Sequence, residues 1–247
     1  MSIQDGSVTW QKDFIMSLRK LPLVVGYIKK ETFTSSGTFT PTMTGLYKIT
    51  LQGGGGGGGG AGTDGHGFHG SGGGGGQGGH YEFFENLTAG ESYSYTIGAG
   101  GTAGTTGSST TGDAGGGGGT GGTSSITINS NTYECYGGTG GNAMGSSARG
   151  GYGGDVKVNN VLVSRGSCGG AGSTGTGSVG CGQGGGPGGT PFAGYSGAFG
   201  GGGAGAGINY NYVYEAVASG GDGYITFEWF DPSEAFPNIW AELEPSE

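Results

Sequence analysis

Leu46-Tyr47-Lys48-Ile49-Thr50-Leu51-Gln52 runs without a break into eight consecutive glycines at positions 53–60. The first part alternates Tyr47, Ile49 and Leu51 with Lys48, Thr50 and Gln52, the period of a strand with one buried face. The second part has no side chains at all. Glycine loses more backbone entropy on folding than any other residue. Such a run is therefore a floppy linker unless the bare backbone is itself the building material.

The same juxtaposition recurs along the chain. Further glycine runs occupy 72–76, 115–119 and 200–203. Seventy of the 247 residues are glycine, about four times the usual share. All but Gly6 and Gly26 lie between Glu31 and Phe230. This divides the chain into a head (1–30), a glycine-rich body (31–230) and an acidic tail (231–247). Collagen is excluded, because there are only seven prolines and no glycine at every third position throughout. A disordered linker is disfavoured by the aromatic content, 11% of the chain.

Short alternating segments bracket the glycine. They are 32–40, 47–52, 81–84, 93–97, 126–128, 133–136, 156–158, 161–163 and 225–229. Asn129-Ser130-Asn131 and Asn159-Asn160 read as hairpin turns, because Asn tolerates positive φ. Nine short strands predict a mainly β fold, an antiparallel β-sandwich. The glycine blocks predict a packed slab of polyglycine II helices, each with three residues per turn. With no side chains, such helices hydrogen-bond to one another in three directions, and a Cβ would block their approach. The head predicts a short N-terminal helix over 8–20 with Trp10, Phe14 and Leu18 on one face, ended by Pro22.

The segments between glycine blocks then become loops at the ends of the slab: 61–71, 102–114, 139–149, 171–183, 190–199 and 204–219. They carry His66, Phe68, His69, Phe192, Tyr195, Phe199, Tyr210, Tyr212 and Tyr214. Aromatic residues among Ser, Gly and Asn on a rigid scaffold have the composition of a recognition surface. Asp64-Gly65-His66-Gly67-Phe68-His69 offers two histidines on a glycine loop that fixes no ligand geometry, so no metal site is assigned. No phosphate-binding GxxxxGK[ST] loop and no evident catalytic carboxylate pair is present, so neither an enzyme nor a cofactor is expected.

Net charge is −9, with +3 in the head, −7 in the body and −5 in the tail. No basic stripe exists, which argues against a nucleic-acid partner. No apolar stretch approaches membrane-spanning length, so membrane insertion is not expected. The run 21–26 is too short for a secretory leader, which predicts folding in a cytoplasm. Cys135, Cys168 and Cys181 fit free thiols in a reducing compartment, with a Cys168–Cys181 bridge left open.

Three stretches together resemble a known family. Phe33-Thr34-Ser35-Ser36-Gly37-Thr38-Phe39-Thr40 leads into the strand and glycine block that open this section. Leu87-Thr88-Ala89-Gly90-Glu91 precedes Tyr93-Ser94-Tyr95-Thr96-Ile97-Gly98-Ala99-Gly100-Gly101. Gly220-Gly221-Asp222-Gly223-Tyr224-Ile225-Thr226-Phe227-Glu228-Trp229 closes the body. This order resembles the glycine-rich domain of bacteriophage tail-fibre and receptor-binding proteins. More loosely, it is similar to the distal tail-fibre adhesins of T-even-type phages. The resemblance implies a non-enzymatic tail-fibre tip adhesin on the virion, made in the host cytoplasm. It would bind a bacterial surface receptor, an outer-membrane protein or a polysaccharide, through loops between glycine helices. The apolar face of the head, Trp10, Phe14 and Leu18, either packs on the body or docks on a phage tail-fibre protein; whether the protein forms a homo-oligomer is also left open. Those adhesins carry a larger, tryptophan-rich attachment domain, which this head does not match. The alternative is a structural tail or fibre assembly protein whose glycine body is a rigid spacer.

Overall fold

A computed structural model describes residues 27–63, 69–107, 113, 115–143, 148–166, 200–203, 205–206 and 217–231. The expected N-terminal helix with Trp10, Phe14 and Leu18 lies outside them, as do Cys168, Cys181 and the tail beyond Asp231. The chain divides into two units, Lys30–Trp229 and Met1–Lys29 with Phe230–Glu247. In the smaller unit, Lys29 pairs with Asp231 at 3.0 Å. The remaining description concerns Lys30–Trp229.

The described residues contain strands and no helix. The strands are β1 (Tyr27–Phe33), β2 (Gly37–Phe39), β3 (Gly45–Gln52), β4 (Gly62–Thr63), β5 (His69–Gly70) and β6 (His80–Leu87). They continue with β7 (Tyr93–Thr96), β8 (Ser124–Ile128), β9 (Asn131–Cys135), β10 (Val156–Val158), β11 (Val161–Ser164) and β12 (Tyr224–Asp231). One sheet has the order β1-β12-β3-β6, a second β11-β10-β9-β8-β7-β2, and β4-β5 form a separate pair. The β12/β3 and β3/β6 pairs, and every neighbouring pair of the second sheet, are antiparallel. Both asparagine turns are two-residue hairpins, with positive φ at Asn129, Ser130, Asn159 and Asn160.

The alternation in β3 does what its period requires. Tyr47, Ile49 and Leu51 are buried, and Ile49 lies opposite Phe227 on one side and Phe83 on the other. These side chains share one core with Phe39, Tyr93, Tyr95, Ile126, Ile128, Tyr133, Cys135 and Val156 of the second sheet. Stacked pairs cross between the sheets, Phe39 on Phe227 at 4.0 Å and Phe83 on Tyr133 at 3.8 Å between ring centroids. Each such pair adds roughly 0.5–1.5 kcal/mol beyond the area it buries. The Cys135 thiol is buried, contacts the Leu51 carbonyl at 3.3 Å and is pushed up to about 12 by desolvation.

Glu85 ties the two sheets at their margin. Its carboxylate accepts from Tyr133 Oη at 2.5 Å, Asn131 Nδ2 at 3.2 Å and Asn129 Nδ2 at 3.2 Å. On the outer face of the first sheet, Lys30 meets Glu228 at 3.1 Å and Lys48 meets Glu82 at 3.0 Å.

Where the strands stop, the glycine begins. β3 passes into residues 53–61, β7 into 98–107 and β9 into 136–143. Residues 72–79 lead into β6, 115–122 into β8, 148–155 into β10 and 217–223 into β12. None of these segments is a strand, yet their backbones are bonded together with a period of three. Gly53, Gly56 and Gly59 donate to Gly79, Gly76 and Gly73. Gly54, Gly57 and Gly60 donate to Gly122, Gly119 and Gly116. Gly55 and Gly58 donate to Gly221 and Ala218. All eight bonds measure 2.8–3.0 Å.

The carbonyls of the same run are taken up by three other segments. Gly101, Gly104 and Gly107 donate to Gly55, Gly58 and Ala61. Gly138 and Gly141 donate to Gly54 and Gly57, and Gly203 and Ala206 donate to Gly56 and Gly59. Residue order shows that the three acceptor segments run antiparallel to the central run and the three donor segments run parallel to it. The run thus has six neighbours and is buried throughout. A Cβ on Gly56 would overlap the Thr139 carbonyl, and one on Gly57 the Thr102 carbonyl.

The expected loops are shorter than the sequence reading made them. Residues 102–107, 139–142, 205–206 and 217–219 hydrogen-bond within the glycine scaffold. Thr102 and Thr139 sit there because side chains are tolerated wherever a segment has an open side.

The Glu85 contacts predict acid sensitivity. Burial pushes its carboxyl up, but donation from Tyr133, Asn131, Asn129 and the Asn86 backbone outweighs this and holds it below the usual 4.5. Glu82 is also held low, first by its hydrogen bond to Lys48. For groups depressed in the folded state, the unfolded chain takes up protons first, so stability is lost as pH falls below 4.5. Urea midpoints should be flat from neutral pH down to that value and then drop. The drop should be smaller in Glu85→Gln, whose amide does not titrate.

Candidate functional site

The bond pattern fixes which end of each glycine segment meets the sheets and which end lies far from them. Residues 53, 79, 98, 122, 136, 155 and 223 adjoin strands of the two sheets. Residues 61, 72, 107, 115, 143, 148, 206 and 217 lie at the opposite end. The described chain therefore leaves and re-enters the scaffold at this end four times, which defines four connections: 62–71, 108–114, 144–147 and 207–216.

Their bases are bonded to one another. The first connection is closed by β4 and β5, with Gly62 opposite Gly70 and Thr63 opposite His69. Thr63 N donates to the Asp113 carbonyl at 3.1 Å, which joins it to the second connection. Asp113 also accepts the Gly115 amide on its own carboxylate at 3.1 Å and so closes the second turn. Gly115 there has φ +73, a conformation that favours glycine. The third connection is closed by Asn142 N donating to the Arg149 carbonyl at 3.0 Å.

Gly73 N reaches the Asn142 carbonyl, and Gly72 N reaches that of Ala206, both at 3.0 Å. The first connection is thereby joined to the third and the fourth. Ala61, Ala206 and Val217 form a small apolar cluster under this end. The arrangement can hold several loops in fixed mutual positions, because their bases are hydrogen-bonded to one another.

Of the residues expected to form the binding surface, His69 is described as the backbone of β5. His66, Phe68, Tyr210, Tyr212 and Tyr214 lie outside the described residues, but the residues flanking them are at the far end. Phe192, Tyr195 and Phe199 also lie outside. The segment that carries them, 167–199, is flanked by Gly166 and Gly200. Gly166 lies against Gly153 and Gly154, and Gly200 is bonded to Gly78 and Asp222, so both flanks are at the sheet end. Sequence reading missed Thr63, Asp113, Asn142 and Ala206 as positioning residues. The Asp113-Ala114-Gly115 stretch carried a usable signal, an Asp before a glycine that closes its own turn.

Among the described residues, no three His, Cys, Asp or Glu side chains converge on a metal-sized site. No protein-family model and no curated protein matches the chain.

The scaffold and the connections should respond differently to length. One glycine inserted between His66 and Gly67 should move the melting temperature by no more than about 2 °C, since loop closure depends weakly on length. One glycine inserted between Gly56 and Gly57 turns the rest of the run by a third of its period and misdirects four amides. Thermal unfolding should then shift down by about 8–16 °C, at roughly 1 kcal/mol per lost bond and 2–4 °C per kcal/mol.

Proposed function

We propose that this protein is a bacteriophage tail-fibre tip adhesin that binds a host bacterial surface receptor through the loops of the far end. The observation that carries this reading is the clustering of four connections on bases bonded to one another. Rigid support lowers the ordering cost of a binding loop. Connections of this kind can change sequence without disturbing the scaffold, which suits a protein that must follow a changing receptor.

In this reading the glycine segments are polyglycine II helices packed as a slab beside a β-sandwich. The period of three in their hydrogen bonds supports that assignment. At the rise of such a helix, the central eight-residue run would extend roughly 25 Å. The head docks on a tail-fibre protein through a helix bearing Trp10, Phe14 and Leu18. The loop aromatics His66, Phe68, His69, Tyr210, Tyr212 and Tyr214 are the first candidates for receptor contact, with Phe192, Tyr195 and Phe199 as a second group.

Purified protein should bind host cells and compete with phage adsorption. Replacing Tyr210, Tyr212 and Tyr214 together by serine should weaken cell binding at least about 30-fold, the loss expected from a single strong anchor. Trp10→Ser with Phe14→Ser should leave cell binding intact and stop incorporation into virions. Unchanged infection after loss of all the loop aromatics would instead favour a rigid fibre spacer.

A further inference from the structure

A groove of about 530 Å³ opens on the flank of the glycine scaffold and begins at the sheet end. Tyr136, Thr139, Tyr152, Asp155, Lys157 and Arg165 line it. A smaller hollow of about 150 Å³ shares Arg165 and Gly166 with it and continues past Ser164 to Gln77 and His80. Arg165 stands between the two.

The groove concentrates a scarce charge. The body has four basic residues, Lys48, Arg149, Lys157 and Arg165, against eleven acids, for a net −7. Two of the four line this groove. Lys157 Nζ lies 4.6 Å from the Tyr136 ring centroid and 3.5 Å from its hydroxyl, which in turn donates to Glu134 at 3.3 Å. Glu134 is the cross-strand partner of Lys157, so this lysine is partly balanced. Among the described residues, neither the Arg165 guanidinium nor the Asp155 carboxylate has a side-chain partner.

Tyr152 supplies the apolar element. Its side chain is 66% exposed. Its backbone is nonetheless fixed, donating to Thr139 Oγ1 at 2.6 Å and accepting from Thr139 N at 2.8 Å. An exposed ring held on a rigid backbone is a ready platform for the C–H face of a pyranose, which meets the electron-rich ring face. A free guanidinium takes a carboxylate in a two-point contact. A free carboxylate and a nearby ammonium take up hydroxyl groups. The volume is that of a small-molecule site.

We propose that this groove binds a short saccharide bearing a carboxylate, with its ring on Tyr152, its carboxylate on Arg165 and its hydroxyls on Asp155 and Lys157. The site uses none of the far-end loop residues, so it stands apart from the adhesin reading and either can fail alone.

Calorimetric titration of the full-length protein with digalacturonate tests it, with lactose as the neutral sugar and triglutamate as the acidic peptide. Saturable digalacturonate binding is expected, with lactose and triglutamate at least about tenfold weaker. Arg165→Gln and Tyr152→Ala should each raise the Kd about tenfold or more, the scale of one charge-assisted contact. Both side chains are exposed, so thermal melts should match the parent and separate lost binding from lost folding. The proposal is overturned if digalacturonate does not bind, if both variants bind it as the parent does, or if lactose or triglutamate binds as tightly.

Discussion

Each amide of the central glycine run needs a partner, and the partners lie in three directions at a spacing that leaves no room for a Cβ. Everything else in the body follows from this. A buried backbone group left unpaired costs about 1–3 kcal/mol, and the eight amides from Gly53 to Gly60 are all buried and all paired. In the sheets, the gap of roughly 10 Å between layers is filled by side chains. Beyond Gln52 the central run carries no side chains. Segments continuing from the two sheets then bond directly, as when Gly138 and Gly141 donate to Gly54 and Gly57. An apolar core gives way to a core made of peptide groups.

The two cores depend on each other. The glycine segments lack side chains to set their register, so register must be imposed from outside. The strands impose it at one end through the Phe39–Phe227 and Phe83–Tyr133 stacks and the Glu85 contacts. At the far end the loop bases are joined through Thr63, Asp113 and Asn142. The entropy that glycine loses on folding is offset in the central run, where each residue from Gly54 to Gly59 both donates and accepts a backbone hydrogen bond.

Much of the fold was legible in the sequence because period-two alternation is a strong signal when one face is buried. Tyr47, Ile49 and Leu51 announced β3, and the two asparagine turns announced their hairpins. β6 extends beyond the expected 81–84 because Glu82, Glu85 and Asn86 are polar and dilute the pattern, and only the pairing with β3 shows why they are ordered. The edges of the scaffold were harder to read. Gly98, Gly101, Gly104 and Gly107 recur every third residue, since only one side of that segment faces the central run. Threonines fill the open sides and imitate a loop. A central segment needs glycine everywhere and a peripheral one only at every third position, so block length alone understated the scaffold. The flank groove was illegible, because Tyr136, Tyr152 and Arg165 come from three separate segments and nothing in their spacing brings them together.

The central claim is that the glycine run is a structural core. Amide hydrogen exchange at Gly55 to Gly59, read by NMR in the intact protein, tests it most directly. The bonded scaffold predicts exchange slowed at least about 10⁴-fold relative to an unstructured chain, because opening there requires global unfolding. Exchange within about tenfold of the unstructured rate would contradict the account and return the run to the status of a linker.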